Sequence, residues 1–412
     1  MSRSSLWFRT LDDVDTSEKT VIVRVDLNSP IDPETGKIKD NERFRAHAET
    51  VRELSDKNAR VVLLAHQGRK GDPDFLPLKD HAEILSRHVG KPVKYVPDII
   101  GEEAVRTVKS LKNGEIVLLE NVRMLDEETK EASPEEHSRG RLVSTLAPLA
   151  DLFILDAFSV AHRAHASVVG FSHVLPTVAG RIMEKELRAL TTVLEEDRRV
   201  VLVMGGNKPE ECIEVIDALI SKRNENIKKV LSAGILGQLF LMTKGVKFGE
   251  PSEEYIKKKK FDVYLERLAK IRDVLGDRLE TPIDFAYEED GKRVEIDVDK
   301  LPAPGAIYDI GEKTARRYAK IILDTTEEDA IIVKGPAGVY EREEFRKGTR
   351  IIYEALSKCK AFTLIGGGDS STAIELVGLS PSNFSYVSLG GGALITYISK
   401  RTLPGIEILK KK

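Results

Sequence analysis

Residues 20–30 read TVIVRVDLNSP: an apolar run, then Arg24, Asp26 and Asn28, with Pro30 as a stop. The run predicts a strand over 20–25, with its polar residues gathered at the carboxyl end. The pattern recurs. VVLLA at 61–65 leads into His66-Gln67-Gly68-Arg69, and IVLL at 116–119 leads into Glu120-Asn121-Val122-Arg123. Asp40-Asn41-Glu42-Arg43 and His162-Arg163-Ala164-His165 complete five short basic or His-bearing segments within the first 170 residues. In an open α/β sheet, ligands bind outside the carboxyl ends of the strands. These ends therefore converge Arg and His side chains on one small, strongly anionic molecule.

Working outward, apolar runs alternate with helical stretches along almost the whole chain, the signature of βαβ units and parallel sheets. Strands are expected at 20–25, 60–65, 92–96, 115–119 and 151–155, then at 199–204, 227–232, 305–309, 329–334, 361–365 and 385–388. Helices are expected at 43–57, with Phe44, Ala48, Val51 and Leu54 on its apolar face, and at 79–89, 210–221, 262–275, 312–323 and 343–357. A long helix over 180–195 connects the halves as a spine or hinge. Lys257–Lys260 reads as a solvated helix start or loop.

Composition narrows the function. The 412 residues suffice for two or three domains, and 41% hydrophobic content supports buried cores. The net charge is only −3, and residues 1–180 carry 25 Lys and Arg against 29 Asp and Glu. The strand-end cations are thus not the by-product of a basic domain, and no nucleic-acid partner is expected. Cys212 and Cys359 stand far apart with no CxxC pairing, which fits a reducing cytoplasm. The start, MSRSSLWFRT, lacks the apolar stretch of a leader, and no run reaches membrane-spanning length.

The second half has a different signature, with glycine clusters at Gly205-Gly206, Gly366-Gly367-Gly368 and Gly390-Gly391-Gly392. LIGGGDSSTAIEL is the sharpest: a strand runs into three glycines, then Asp369 and Ser370, then a helix. Backbone N–H groups there suit phosphate, and Asp369 suits Mg²⁺. VMGGNKP adds Lys208, and VKGPAGVYE ends at Glu341. No GxxxxGK[ST] loop and no GxGxxG fingerprint occurs, which argues against a P-loop enzyme and a dehydrogenase. His162 and His165 lack the cysteine or acidic companions of a metal site and join Arg163 as anion ligands. An anion site in one half and a glycine-lined phosphate site in the other point to phosphoryl transfer across a cleft.

In this order, RVDLNSP, DNERF, HQGR, LLENVR, DAFSVAHRAHAS, the GGxK turn, DIGEKT, KGPAGVYE, IGGGDSS, GGGA and the final LPG resemble the phosphoglycerate kinase family essentially end to end. The resemblance implies two doubly wound, Rossmann-like parallel-sheet lobes that face a cleft and bend at a hinge. It places the first at 1–178, with 391–412 packing back on it, and the second at 179–390. It implies reversible transfer of the acyl phosphate of 1,3-bisphosphoglycerate to ADP, giving 3-phosphoglycerate and MgATP, by a cytoplasmic monomer or small homo-oligomer. The phosphoglycerate side would be Asp26, Asn28, Arg43, His66, Arg69, Arg123, Arg163 and His165. Arg43 and Lys208 would act on the transferring group together with the N–H groups of Gly367 and Gly391. On the nucleotide side, Lys208 and the Gly366, Gly367 and Gly368 turn would meet the phosphates. Asp369 would meet the metal, Ser370 a phosphate oxygen, Glu341 the ribose, and Gly234 and Gly237 the adenine.

The chain also departs from the family pattern. GGNKPEEC stands for GGAKVxDK, so Cys212 replaces a second lysine, and Pro209 stiffens the helix start. SLGGGALIT stands for STGGGASLE, with Leu389 for a threonine and Thr396 for a glutamate. Altered nucleotide affinity, rather than lost activity, is the expected consequence.

Overall fold

The computed structural model describes residues 6–194 and 198–411. They divide into two compact units: one runs up to Arg188 and takes back Thr402 onward, the other is Ala189–Arg401. The division thus falls later than 178/179, inside the helix Arg181–Leu194. Of the expected helix 180–195, the last residue lies outside the described residues, as does the MSRSS of the N-terminus. The returning tail is shorter than 391–412 because Gly392–Lys400 is a helix of the second unit. The tail is held in the first unit by backbone bonds from Arg9 N to Leu409 O, Lys411 N to Trp7 O and Gly405 N to Ala161 O.

The first unit is built on six strands: β1 (Thr20–Arg24), β2 (Arg60–Leu64), β3 (Val93–Val96), β4 (Ile116–Leu119), β5 (Leu152–Leu155) and β6 (Thr177–Ala179). All pair in parallel, in the order β3-β4-β2-β1-β5-β6. β1 and β4 are buried throughout, as expected of a parallel sheet covered on both faces. Val21, Val23, Leu63 and Ile154 pack on the helix Glu42–Asp56 through Phe44, Ala48, Val51 and Leu54, all at most 1% exposed. Strand order reverses at β1, whose neighbours are β2 and β5. A crevice at the carboxyl ends is expected at such a reversal.

The second unit repeats the plan. Its strands β7 (Arg199–Met204), β8 (Ile227–Ser232), β9 (Leu279–Glu280), β13 (Asp329–Lys334), β14 (Phe362–Gly366) and β15 (Tyr386–Val387) form a parallel sheet, β15-β14-β13-β7-β8-β9. Between β9 and β13 lies a smaller antiparallel sheet of β10 (Asp284–Glu289), β11 (Lys292–Asp297) and β12 (Ile307–Ile310), in the order β11-β10-β12. The strand expected at 305–309 belongs to this sheet. Lys257–Lys260 is exposed, as expected, but sits at the end of the helix Glu250–Lys258 rather than at a start. Among the described residues, no helix is long and apolar enough to cross a membrane.

Candidate active site

In the first unit the carboxyl ends of β1, β2, β4 and β5 gather the expected cations. Arg43 stands in the first turn of Glu42–Asp56, because Asn41 caps that helix by accepting from Arg43 N at 3.0 Å. From there Arg43 reaches Asp26 Oδ2 at 2.8 Å and Asn28 O at 3.1 Å. Asp26 is buried, which works against its charge. Arg43 and the Ser159 hydroxyl act against burial, and the carboxyl is held below its usual range. Asn28 locks the two loops together: its N–H donates to Asp26 Oδ1 at 3.0 Å, and its own Oδ1 accepts from Gly68 N at 2.8 Å.

Behind these lies a layer in which the sequence showed Arg24 and His66 at their strand ends but not the partners Ser167 and Glu128. Arg24 is 1% exposed and donates from Nε to Ser167 Oγ at 2.8 Å, with a second nitrogen 3.0 Å from His66 Nδ1. A guanidinium can only donate, so His66 Nδ1 accepts and its proton rests on Nε2. Burial, followed by Arg24, holds the His66 pKa well below the ordinary imidazole value. Glu128, fully buried, accepts from Ser167 N at 2.9 Å and Ser167 Oγ at 2.6 Å, and its charge acts on both Arg24 and Arg123. Asn121 fixes the β4 turn by accepting from Arg123 N at 3.1 Å and donating to Gln67 O at 2.8 Å.

The remaining cations crowd together. Arg123 donates to Gly68 O at 2.5 Å, and burial, then the charges of Arg24 and Arg163, bring its pKa down to about 10. Burial and the same three arginines, Arg163 first, push His165 down to about 3. Arg69 is exposed at the rim, near enough to act on Arg123. Five guanidiniums therefore share one site with the buried carboxylates Asp26 and Glu128, and His66 and His165 stay neutral. Such a concentration of like charge is relieved only by an anion.

The second unit works differently. Helices Pro209–Arg223, Gly368–Leu376 and Gly392–Lys400, which follow β7, β14 and β15, all start without a side-chain cap. Their first N–H groups are left for an anion. Close backbone approach sets the turns: a Cβ on Gly205 would lie 2.3 Å from Pro336 O. Gly367 has φ +102°, a conformation that only glycine adopts readily, and it leads directly into Gly368 and Asp369. Pro209 occupies the first helical position, where a missing N–H costs nothing.

Beside these turns lies a pocket of about 360 Å³, lined by Gly206, Gly234, Gln238, Tyr255, Tyr308, Val339, Tyr340, Glu341 and Asp369, among others. Three expected nucleotide residues, Gly234, Glu341 and Asp369, thus line one pocket. Gly237 is not in that lining; a Cβ there would meet Pro282 at 2.9 Å, so the residue serves close packing. Ser370 is buried and accepts from Gly335 N at 3.1 Å. Lys208 is exposed, its Nζ 3.6 Å from Glu211 Oε1. Gly391 begins its helix at φ +51°, with open space around it. Among the described residues, no three His, Cys, Asp or Glu side chains cluster to cage a metal. Asp369, on the pocket lining beside uncapped helix starts, fits Mg²⁺, which binds through one or two carboxylates and otherwise takes phosphate oxygens and water.

Comparison with known proteins gives the same reading. The family model described as phosphoglycerate kinase matches residues 11–401. The chain is 42% identical over 408 residues to the phosphoglycerate kinase of Methanothermobacter thermautotrophicus, covering 99% of this chain and 98% of that one. It is 44% identical to that of Halorubrum lacusprofundi, covering 98% of each. The crystal structure of phosphoglycerate kinase from Pyrococcus horikoshii OT3 superposes with a TM-score of 0.89 at 36% identity, over 97% of this chain and 98% of that one. With the motifs in order, both sheets in place and whole-length relatives on either measure, the chain belongs to the phosphoglycerate kinase family.

Proposed function

We propose that the chain catalyses reversible transfer of the acyl phosphate of 1,3-bisphosphoglycerate to ADP, giving 3-phosphoglycerate and MgATP. The observation that carries this reading is the set of five guanidiniums around Asp26 and Glu128 in the first unit. Arg69, Arg123 and Arg163 would hold the phosphate and carboxylate by bidentate bonds. Asp26 and Asn28 would orient the hydroxyl, and His66 and His165 would complete the site. The nucleotide would lie in the pocket of the second unit, with Gly234 and Gly237 keeping their helix close to the base and Glu341 on the ribose. Lys208, Ser370 and the Gly366, Gly367 and Gly368 turn would meet its phosphates. Mg²⁺ on Asp369 would neutralise charge shared between the phosphate oxygens.

An oxygen of the ADP β-phosphate attacks phosphorus, the bond to the acyl oxygen breaks, and 3-phosphoglycerate leaves as a carboxylate with the electron pair. Attacking and leaving oxygens are both ionised at neutral pH, so no general base is required. Catalysis then reduces to placement and neutralisation of the equatorial oxygens. Arg43, Lys208 and the N–H groups of Gly367 and Gly391 would supply that neutralisation. The weak net charge supports a setting without nucleic-acid partners, and the two free cysteines support a reducing, cytoplasmic one; a monomer or small homo-oligomer without membrane partners is the form we propose. The test is ADP formation from MgATP by the purified protein, with and without 3-phosphoglycerate. Turnover that needs both substrates is expected; its absence refutes the assignment.

A further inference from the structure

One buried cation in the second unit has no part in the proposed reaction so far. Lys334 ends β13, the strand between β7 and β14, with its Cα in register with Met204 on one side and Gly366 on the other. Its side chain therefore rises between the Gly205-Gly206 turn and the Gly366-Gly367-Gly368 turn. Its Nζ lies 3.2 Å from where a Cβ on Gly367 would stand, and only 11% of the side chain is exposed. Among the described residues, the ammonium is balanced by a single carboxylate, Glu211, at 2.6 Å. Glu211 also holds Lys208, its other oxygen 3.6 Å from that Nζ. Two ammonium groups thus meet on one carboxylate, in the first turn of Pro209–Arg223, beside glycine turns shaped for phosphate.

The next residue, Cys212, offers no charge to the site. It is fully buried, its Sγ lies 3.5 Å from Gly205 O, and burial pushes its thiol up to about 12. The cationic side chains at this strand edge are therefore Lys208, which is mostly solvated, and Lys334, which is not. An ammonium in a dry, backbone-lined niche acts on phosphate far more strongly than one in water.

We propose that Lys334 is a catalytic residue: its Nζ moves from Glu211 onto the terminal phosphate oxygens of the bound nucleotide and neutralises charge there during transfer. Glu211 acts as a place-holder that keeps both ammonium groups at the phosphate turn until the nucleotide arrives. This inference rests on the proposed kinase reaction.

The test combines Lys334→Met, Glu211→Gln and the double variant, each assayed for kcat, for nucleotide Kd and for the phosphoglycerate KM. Lys334→Met is expected to lose on the order of 10²-fold in kcat, the cost of removing one aimed donor, while the phosphoglycerate KM stays unchanged. Glu211→Gln is expected to bind nucleotide more tightly, because the carboxylate no longer competes. The double variant removes both charges together, so it folds even if Lys334→Met does not, and it is expected to stay as slow as the single. Recovery of parental kcat in the double variant would show that the lysine only balances Glu211 and would overturn the proposal. So would a kcat within threefold of the parent in Lys334→Met, or weaker nucleotide binding in Glu211→Gln. Lack of turnover by the parent chain would instead sink the kinase reading, and this inference with it.

Discussion

Arg43→Ala perturbs stability and rate through the same side chain, and the two losses separate. Arg43 lies 2.8 Å from Asp26 Oδ2, with its side chain 29% exposed and that of Asp26 4% exposed. Breaking a fully buried pair costs about 3–5 kcal/mol. Here the arginine is partly solvated, and Asp26 keeps the Asn28 N–H and the Ser159 hydroxyl. A loss of about 1–2 kcal/mol is therefore expected. The rate should fall by about 10³-fold, or about 4 kcal/mol at 1.36 kcal/mol per decade.

The pH dependence separates these effects. The folded pKa of Asp26 is depressed, so its stabilisation is present above the ordinary carboxylate pKa and is lost as pH falls through the folded value. Arg43 is the largest contributor favouring the ion, so parent and variant differ most at pH 7 and converge in acid, where Asp26 is protonated in both. Urea unfolding at pH 7 and at stepwise lower pH, with coupled turnover at pH 7, tests this. A gap that widens in acid, equal stability at pH 7, or turnover within tenfold of the parent would each refute the reasoning. Adding Asp26→Asn to Arg43→Ala should restore stability but not rate.

Asp369→Asn should weaken nucleotide binding about tenfold in Mg²⁺ and much less in EDTA, read by calorimetry; equal losses in both would remove the metal from this residue. His165 is held at about 3 by burial and by Arg163, Arg24 and Arg123. A bound phosphate dianion raises that pKa, so 3-phosphoglycerate binding at pH 6 should take up a fraction of a proton, seen as an enthalpy that varies with buffer. An enthalpy independent of buffer would place the phosphate elsewhere. The Cys212 thiol, buried and pushed up to about 12, should resist a thiol reagent at pH 8 in the folded protein and react on unfolding. Labelling of Cys212 in the native state would contradict that burial.

The parts of the fold legible in the sequence were those with local signals. Phe44, Ala48, Val51 and Leu54 mark the buried face of one helix, and VVLLA and IVLL are strands because a sheet covered on both faces needs unbroken apolar runs. The β10–β11 hairpin was not legible, although Asp290-Gly291 is a good two-residue turn, with φ +50° and +75°. Charges within both strands hid the alternation, and no residue of β11 is fully buried. β12 read as another parallel strand because no local feature tells which neighbour it pairs with; its partner β10 is fixed by tertiary structure alone. Glu128 stayed invisible for the same reason, and so did the partner that fixes Arg24. The ligand of Arg24 is Ser167, 143 residues away, and no spacing rule connects them. Lys334 looked like the polar end of an apolar strand; only its register between two glycine turns gives it a role.

In the proposed reaction the two half-sites would hold anions by different means, and this decides how each should tolerate change. In the first unit the charge sits on side chains, three of them fixed by bonds to residues distant in the chain: Arg24 to Ser167, Arg43 to Asn28 and Asp26, and Arg123 to Gly68. Removing one member leaves another unpaired in a dry place, so single substitutions there should be sharp. In the second unit much of the surface proposed to face phosphate is backbone at three uncapped helix starts, and a side-chain replacement cannot delete an N–H group. Thr396 shows the consequence: it stands where the family pattern has a glutamate, yet its hydroxyl only bonds back to Gly392 O at 2.9 Å on an exposed face. Leu389 precedes the Gly390-Gly391-Gly392 turn and leaves those N–H groups in place. The departures from the family pattern thus fall in the half whose chemistry the backbone carries, while the side-chain half keeps its full set. Of these departures Cys212 is the one that removes a positive charge, and Lys334 sits beside it.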